Sequence, residues 1–163
     1  MRATHSFAVA IAGWASIVLA SCGEKPATET RDLFDPAAAG EHAHDAPHGG
    51  VLIELGDEAA HLEILRDEAT GEVRLFVLDD SAEAAVRVAH ASIEIAVSAD
   101  GAEWTLALEG VASALTGETA GDTSEYRGRD DRLKGDGPVS GRIAQITVKG
   151  LTFEGVEVKI PGR

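Results

Sequence analysis

Ser92-Ile93-Glu94-Ile95-Ala96-Val97-Ser98-Ala99-Asp100-Gly101-Ala102-Glu103-Trp104-Thr105-Leu106-Ala107-Leu108-Glu109 is the stretch that decides the fold. Ile93, Ile95 and Val97 alternate with Glu94 and Ala96, and Trp104, Leu106 and Leu108 alternate with Thr105 and Ala107. A period of two places each apolar set on one side of an extended strand. Between the two sets stands Asp100-Gly101, a pair that tolerates the positive φ of a two-residue hairpin turn. The stretch therefore predicts an antiparallel hairpin over 91–109, with Trp104 in the core beside Leu106 and Leu108.

The same grammar recurs on both sides. Ala144, Ile146 and Val148 alternate with Gln145, Thr147 and Lys149; Lys149-Gly150 turns the chain; Leu151, Phe153, Val156, Val158 and Ile160 return it to Pro161-Gly162, which predicts a hairpin over 142–160. Upstream, His61–Leu65 and Val73–Leu78 flank the loop Asp67-Glu68-Ala69-Thr70-Gly71 and predict a hairpin over 61–78, preceded by a first strand at Val51–Leu55. Val86–Val88 reads as a short extended piece. The glycine-rich, charged stretch Ser113–Gly141 reads as a long loop with a strand near Tyr126 and a helical turn at Asp130–Lys134. About seven to eight strands at hairpin spacing predict an all-β antiparallel domain, a sandwich or alternatively a small barrel. Strand order stays open, because an alternating pattern fixes which face is buried and not which strands pair beyond a hairpin.

The first 48 residues follow different rules. From Cys22 to Pro47 the chain is rich in Ala, Glu, Thr, Asp and His, carries Pro26, Pro36 and Pro47, and lacks a sustained apolar period. It reads as a flexible tether, with short helical character possible only at Arg31–Ala39. Ahead of it come Arg2 and an apolar stretch from Phe7 to Ala20, too short for the roughly 20 helical residues that a bilayer requires. Leu19-Ala20-Ser21-Cys22 closes that stretch and holds the single cysteine of the chain. The order of basic start, apolar stretch, small residues and cysteine resembles a bacterial lipoprotein signal peptide with its lipobox. The resemblance implies cleavage after Ser21, acylation of Cys22 with chains such as palmitate, and anchoring in the cell envelope. With Gly23 rather than Asp after the cysteine, it implies the outer membrane, facing the periplasm, in a Gram-negative host. Acylation contributes about 0.8 kcal/mol per buried CH₂, so a multi-chain anchor holds firmly. The expected organisation is a signal peptide over 1–21, a flexible His-containing tether over 22–48 and a β-sandwich domain over 49–163.

Charge narrows the partners. The 163 residues carry a net charge of −14, and loss of the 21 residues ahead of Cys22 would leave 142 residues at −15, because Arg2 is the one charged residue removed. So acidic a surface excludes nucleic-acid binding through phosphate contacts. It is also repelled by anionic lipid head groups, which leaves the acyl chains to hold the protein at a membrane. The expected partners are thus the membrane, through Cys22, and a protein of the envelope.

Histidines supply the chemistry the sequence offers. Glu41-His42-Ala43-His44-Asp45-Ala46-Pro47-His48-Gly49-Gly50 gathers His42, His44 and His48, and imidazole suits zinc, copper(II) or nickel. An H-x-H pair in an extended segment turns both rings to one side, and Pro47 with the two glycines can fold His48 back. His61 completes a four-histidine set if the tether returns across the sheet. By its own alternation with Leu62 and Ile64, His61 faces away from the core, onto an expected polar face. His90 reads as a structural histidine.

A second resemblance rests on Pro47-His48-Gly49-Gly50, Leu55-Gly56-Asp57, His61-Leu62-Glu63, Gly71 and Val77-Leu78-Asp79. These short motifs resemble segments of uncharacterised bacterial exported proteins, some of them periplasmic parts of heavy-metal efflux systems. The resemblance implies a periplasmic β domain with a role in metal handling. The only methionine is Met1, which disfavours copper(I), an ion that prefers thioether and thiolate ligands.

Enzymatic motifs are absent: no G-x-S-x-G, H-E-x-x-H, phosphate-binding glycine loop or C-x-x-C occurs. Asp79-Asp80 and Asp130-Asp131 read as solvated turns at strand ends and not as a calcium loop. The sequence thus predicts a non-enzymatic, lipid-anchored binding domain that takes a divalent transition metal through His42, His44, His48 and His61. The alternative is a structural or interaction lipoprotein of the envelope with no metal role.

Overall fold

The computed structural model describes residues 44–162. Leu19, Ala20, Ser21, Cys22, His42 and the segment Arg31–Ala39 lie outside the described residues.

Eight antiparallel strands form one sheet: β1 (Val51–Leu55), β2 (Ala60–Asp67), β3 (Glu72–Leu78), β4 (Ser92–Ala99), β5 (Ala102–Gly110), β6 (Glu125–Arg129), β7 (Val139–Val148) and β8 (Leu151–Ile160). Their order is β1-β2-β3-β6-β5-β4-β7-β8, so the sheet curls into a nearly closed barrel. This is the all-β antiparallel fold expected from the alternation, and all three hairpins fall where the turns predict them. Asp100 (φ 50) and Gly101 (φ 77), like Lys149 (φ 50) and Gly150 (φ 80), take positive φ at both central positions, the turn that matches strand twist. The segment β6 and a single 3-10 turn at Asp131–Leu133 occupy the two structured places expected within 113–141.

What the alternation left open was pairing. β6 inserts between β3 and β5, with Leu75 opposite Tyr126 and Gly110 opposite Tyr126 on its other side. β7 pairs with β4 and joins the two halves. The interior is filled by Leu62, Ile64, Leu75, Val77, Ile95, Leu108, Tyr126, Ile143 and Ile146, all at most 1 % exposed. Ala144, expected to share a face with Ile146 and Val148, is exposed instead, because regular pairing of β7 with β8 is interrupted there and Ile143 faces the core in its place. Each such side chain contributes about 1.5–3 kcal/mol through burial. Leu133 drops into the same core from the 3-10 turn.

Trp104 departs from its expected core position. It is only partly buried, and the Arg132 guanidinium lies 4.2 Å from its ring centre. The strand pattern chose its face correctly, and the indole packs against the core, but its place near the start of the strand leaves part of it to be covered by a cation.

β1 and β8 are adjacent without being paired by a hydrogen-bonded ladder. Side chains seal this seam. A Cβ at Gly56 would stand 3.0 Å from the Phe153 ring, and Pro161 borders the same small cavity as Gly49, Gly50 and Val51.

Candidate functional site

The outer face of β1–β3 carries the site. Cross-strand register sets Glu54 beside His61 and His61 beside Leu78; one step along, Leu52, Glu63 and Phe76 form the next row. Phe76, Leu78 and Ala82 form a small second core on this outer face, with Leu52 and Leu65 packed against it. Over it runs a strap, residues 44–50, which turns at Ala46–Gly49 through the Gly49 N–H donating to the Ala46 carbonyl at 3.0 Å.

The strap corrects one expectation. His61 does face away from Leu62 and Ile64, but it is 4 % exposed and not on a polar surface. The reason is the strap itself, which returns across the sheet and covers that face. Gly50 shows how close the approach is: a Cβ there would meet the Ile64 carbonyl oxygen at 2.5 Å and Leu65 Cγ at 2.8 Å.

Glu63 holds the strap down. Its carboxylate is fully buried and accepts three hydrogen bonds, from the His48 N–H (2.9 Å), the Gly50 N–H (2.8 Å) and His48 Nδ1 (2.6 Å). A buried carboxylate is costly unless its oxygens are satisfied, and here the strap supplies the donors. The His48 ring then lies flat on Phe76, with centroids 3.8 Å apart and planes 5° from parallel. Arg74 also approaches the Phe76 ring, at 4.8 Å, while its guanidinium is tied to Glu125 at 2.8 Å. Burial raises the Glu125 carboxyl, but the hydrogen bonds from Arg74 and Arg127 outweigh it and hold the group below the usual carboxylate range.

Docking of the strap brings His44 to His61. Their rings meet edge to face, 4.9 Å between centroids. His61 Nδ1 lies 2.9 Å from the Asp79 carbonyl oxygen. A carbonyl only accepts, so Nδ1 carries the hydrogen, and in the neutral ring the lone pair resides on Nε2. This is the arrangement found behind metal-binding histidines, where a backbone acceptor fixes tautomer and ring direction. The Asp79 carbonyl is itself held in place. The Asp79 side chain caps its own loop by accepting from the Glu83 N–H (3.0 Å), the Ala84 N–H (3.2 Å) and the Ser81 hydroxyl (3.1 Å). Those bonds, the Ala84 N–H foremost, lower the carboxyl below its ordinary value. His44 Nε2 is buried with no hydrogen-bond partner among the described residues.

Of the four histidines singled out by the sequence, the structure brings His44 and His61 together. It commits His48 to Glu63 and Phe76, and His42 lies outside the described residues. Among the described residues, no three His, Cys, Asp or Glu side chains converge closely enough to hold an ion. His90 is structural, as expected: its Nε2 accepts from the Thr147 N–H at 3.2 Å, and its carbonyl accepts from the Tyr126 hydroxyl at 2.8 Å. The sequence reading missed Glu63, Phe76 and the Asp79 carbonyl. Glu63 had one available signal, since it shares the outward face of β2 with His61, two residues away.

The chain matches no protein-family model, no curated protein and no solved structure.

Proposed function

We propose that this chain is a non-enzymatic, lipid-anchored binding domain of the bacterial envelope that takes a divalent transition metal (zinc, copper(II) or nickel) at His44 and His61. The observation that carries the reading is the pair itself: two imidazoles side by side, one with Nδ1 tied to a backbone carbonyl and one with an unpartnered buried Nε2. Imidazole is a ligand shared by all three ions, and water would complete the coordination. The two resemblances, to a lipobox signal ending at Cys22 and to exported domains of metal efflux systems, support the same compartment and role.

Calorimetric titration of the chain beginning just after Cys22 with zinc, copper(II) and nickel tests the reading. Micromolar or tighter binding at one ion per chain, lost in His61→Ala and in His44→Ala, is the expected result. Undiminished binding in both variants would remove the pair from consideration.

A second reading is favoured by the lack of a three-ligand group among the described residues. In it the histidines only pack the strap, and the domain is an envelope interaction lipoprotein. It predicts that His44→Ala and His61→Ala alter stability and leave no metal effect to lose.

A further inference from the structure

We propose that Glu63 is the positioning residue of a latch, so that docking of strap 44–50 and uptake of metal at His44 and His61 are one linked equilibrium. The inference rests on the metal reading above and adds its regulation. His61 belongs to β2 and is held by the Asp79 carbonyl, a contact that involves no strap residue. His44 belongs to the strap and reaches His61 only when the strap lies on the sheet. What keeps it there is Glu63, which binds the strap at two backbone N–H groups and one ring nitrogen, four and six residues beyond His44. The stacking of His48 on Phe76 adds to the same closure.

Linkage then makes the effect reciprocal. An ion that binds only the docked strap stabilises it, by about 100-fold in the docking constant when the free ion is at 100 times its dissociation constant. Conversely, loosening the strap weakens the ion by the fraction of time the strap is away.

The test uses amide hydrogen exchange at His48 and Gly50, whose N–H groups are the two that Glu63 accepts, together with zinc titration of the full chain. Zinc is expected to slow exchange at both amides by tenfold or more. Glu63→Ala is expected to speed their exchange and to weaken zinc at least tenfold. Glu63→Gln retains a carbonyl oxygen for both amides and is expected to bind zinc within about threefold of the parent, which also guards against a Glu63→Ala chain that does not fold. Zinc bound at His44 and His61 with unchanged exchange at His48 and Gly50, or with full affinity in Glu63→Ala, overturns the link while leaving the metal site standing. No zinc binding by the parent chain overturns the metal reading and the link with it; the exchange data without zinc then still report whether Glu63 holds the strap.

Discussion

Tyr126 shows how a single side chain ties distant parts of this chain together. It is fully buried, and its hydroxyl donates to the His90 carbonyl at 2.8 Å across the turn into β4. Burial pushes the phenol up to about 12, from an ordinary value of 10.0. The folded chain therefore keeps a proton that the unfolded chain releases. The stability this contributes is complete below pH 10 and is lost as pH rises toward 12. Tyr126→Phe is expected to cost about 1 kcal/mol at neutral pH, through the unpaired His90 carbonyl, and to flatten the alkaline loss of stability between those values. Urea denaturation of both chains at pH 8 and pH 11 measures it; equal pH dependence in the two would contradict the assignment. His90 itself was readable in the sequence as a structural residue. Glu63 was not, because a lone acid on an outward strand position looks solvated until one knows that a strap lies over it. The value of His61 was half legible: alternation gave its face, and only the docked strap explains its burial.

At the scale of elements, the hairpins were legible because each is local. A period-two run, a turn pair of the Asp-Gly or Lys-Gly kind and a second run specify one another within twenty residues. The pairings β3 with β6 and β4 with β7 are not local, and the patterns of these strands suit several neighbours equally. Close approach at glycines accompanies the packing around β5 and β6. A Cβ at Gly128 would stand 2.4 Å from the Ala107 carbonyl oxygen, and one at Gly110 would stand 2.1 Å from that of Ala120. The β2–β3 loop shows the same contrast between local and long-range need. Gly71 (φ 71) and Gly101 (φ 77) both occupy the left-handed region, where a side chain costs about 1–2 kcal/mol. At Gly101 a Cβ meets nothing within 4 Å, whereas at Gly71 it would stand 2.2 Å from the Asp130 carbonyl oxygen. Gly101→Ala is thus expected to lose only that backbone cost, and Gly71→Ala to lose several kcal/mol, since a backbone carbonyl must move. Thermal denaturation ranks the two; a reversed order would mean that the 125–134 segment yields freely.

For the whole molecule, the balance of charge and the proposed lipid anchor belong together. The net charge of −14 of the chain disfavours anionic lipid, so under the proposed lipoprotein reading membrane retention would rest on the acylated Cys22. Cys22→Ser is expected to move the protein from the membrane fraction to the soluble fraction of the envelope and to abolish the acyl mass increment on the amino-terminal peptide. A Cys22→Ser chain that stays in the membrane fraction would sink the lipoprotein reading. The all-β antiparallel class was legible, while the sandwich put first gave way to one nearly closed, barrel-like sheet, because closure depends on how far a sheet curls and not on any one strand's pattern.

The seam between β1 and β8 has a mechanical consequence. The five-residue strand β1 is bonded only to β2, and the chain ahead of it leaves through the strap. A pull from anything attached ahead of residue 44 would otherwise peel β1 from β2 one rung at a time, the weakest way to load a sheet. Because the strap is first fastened across the outer face, tension reaches the Glu63 bonds and the His48–Phe76 stack before it reaches β1. The strap thus acts as a strain relief, like the clamp on a cable, and spares the unpaired edge of the barrel any load applied ahead of residue 44.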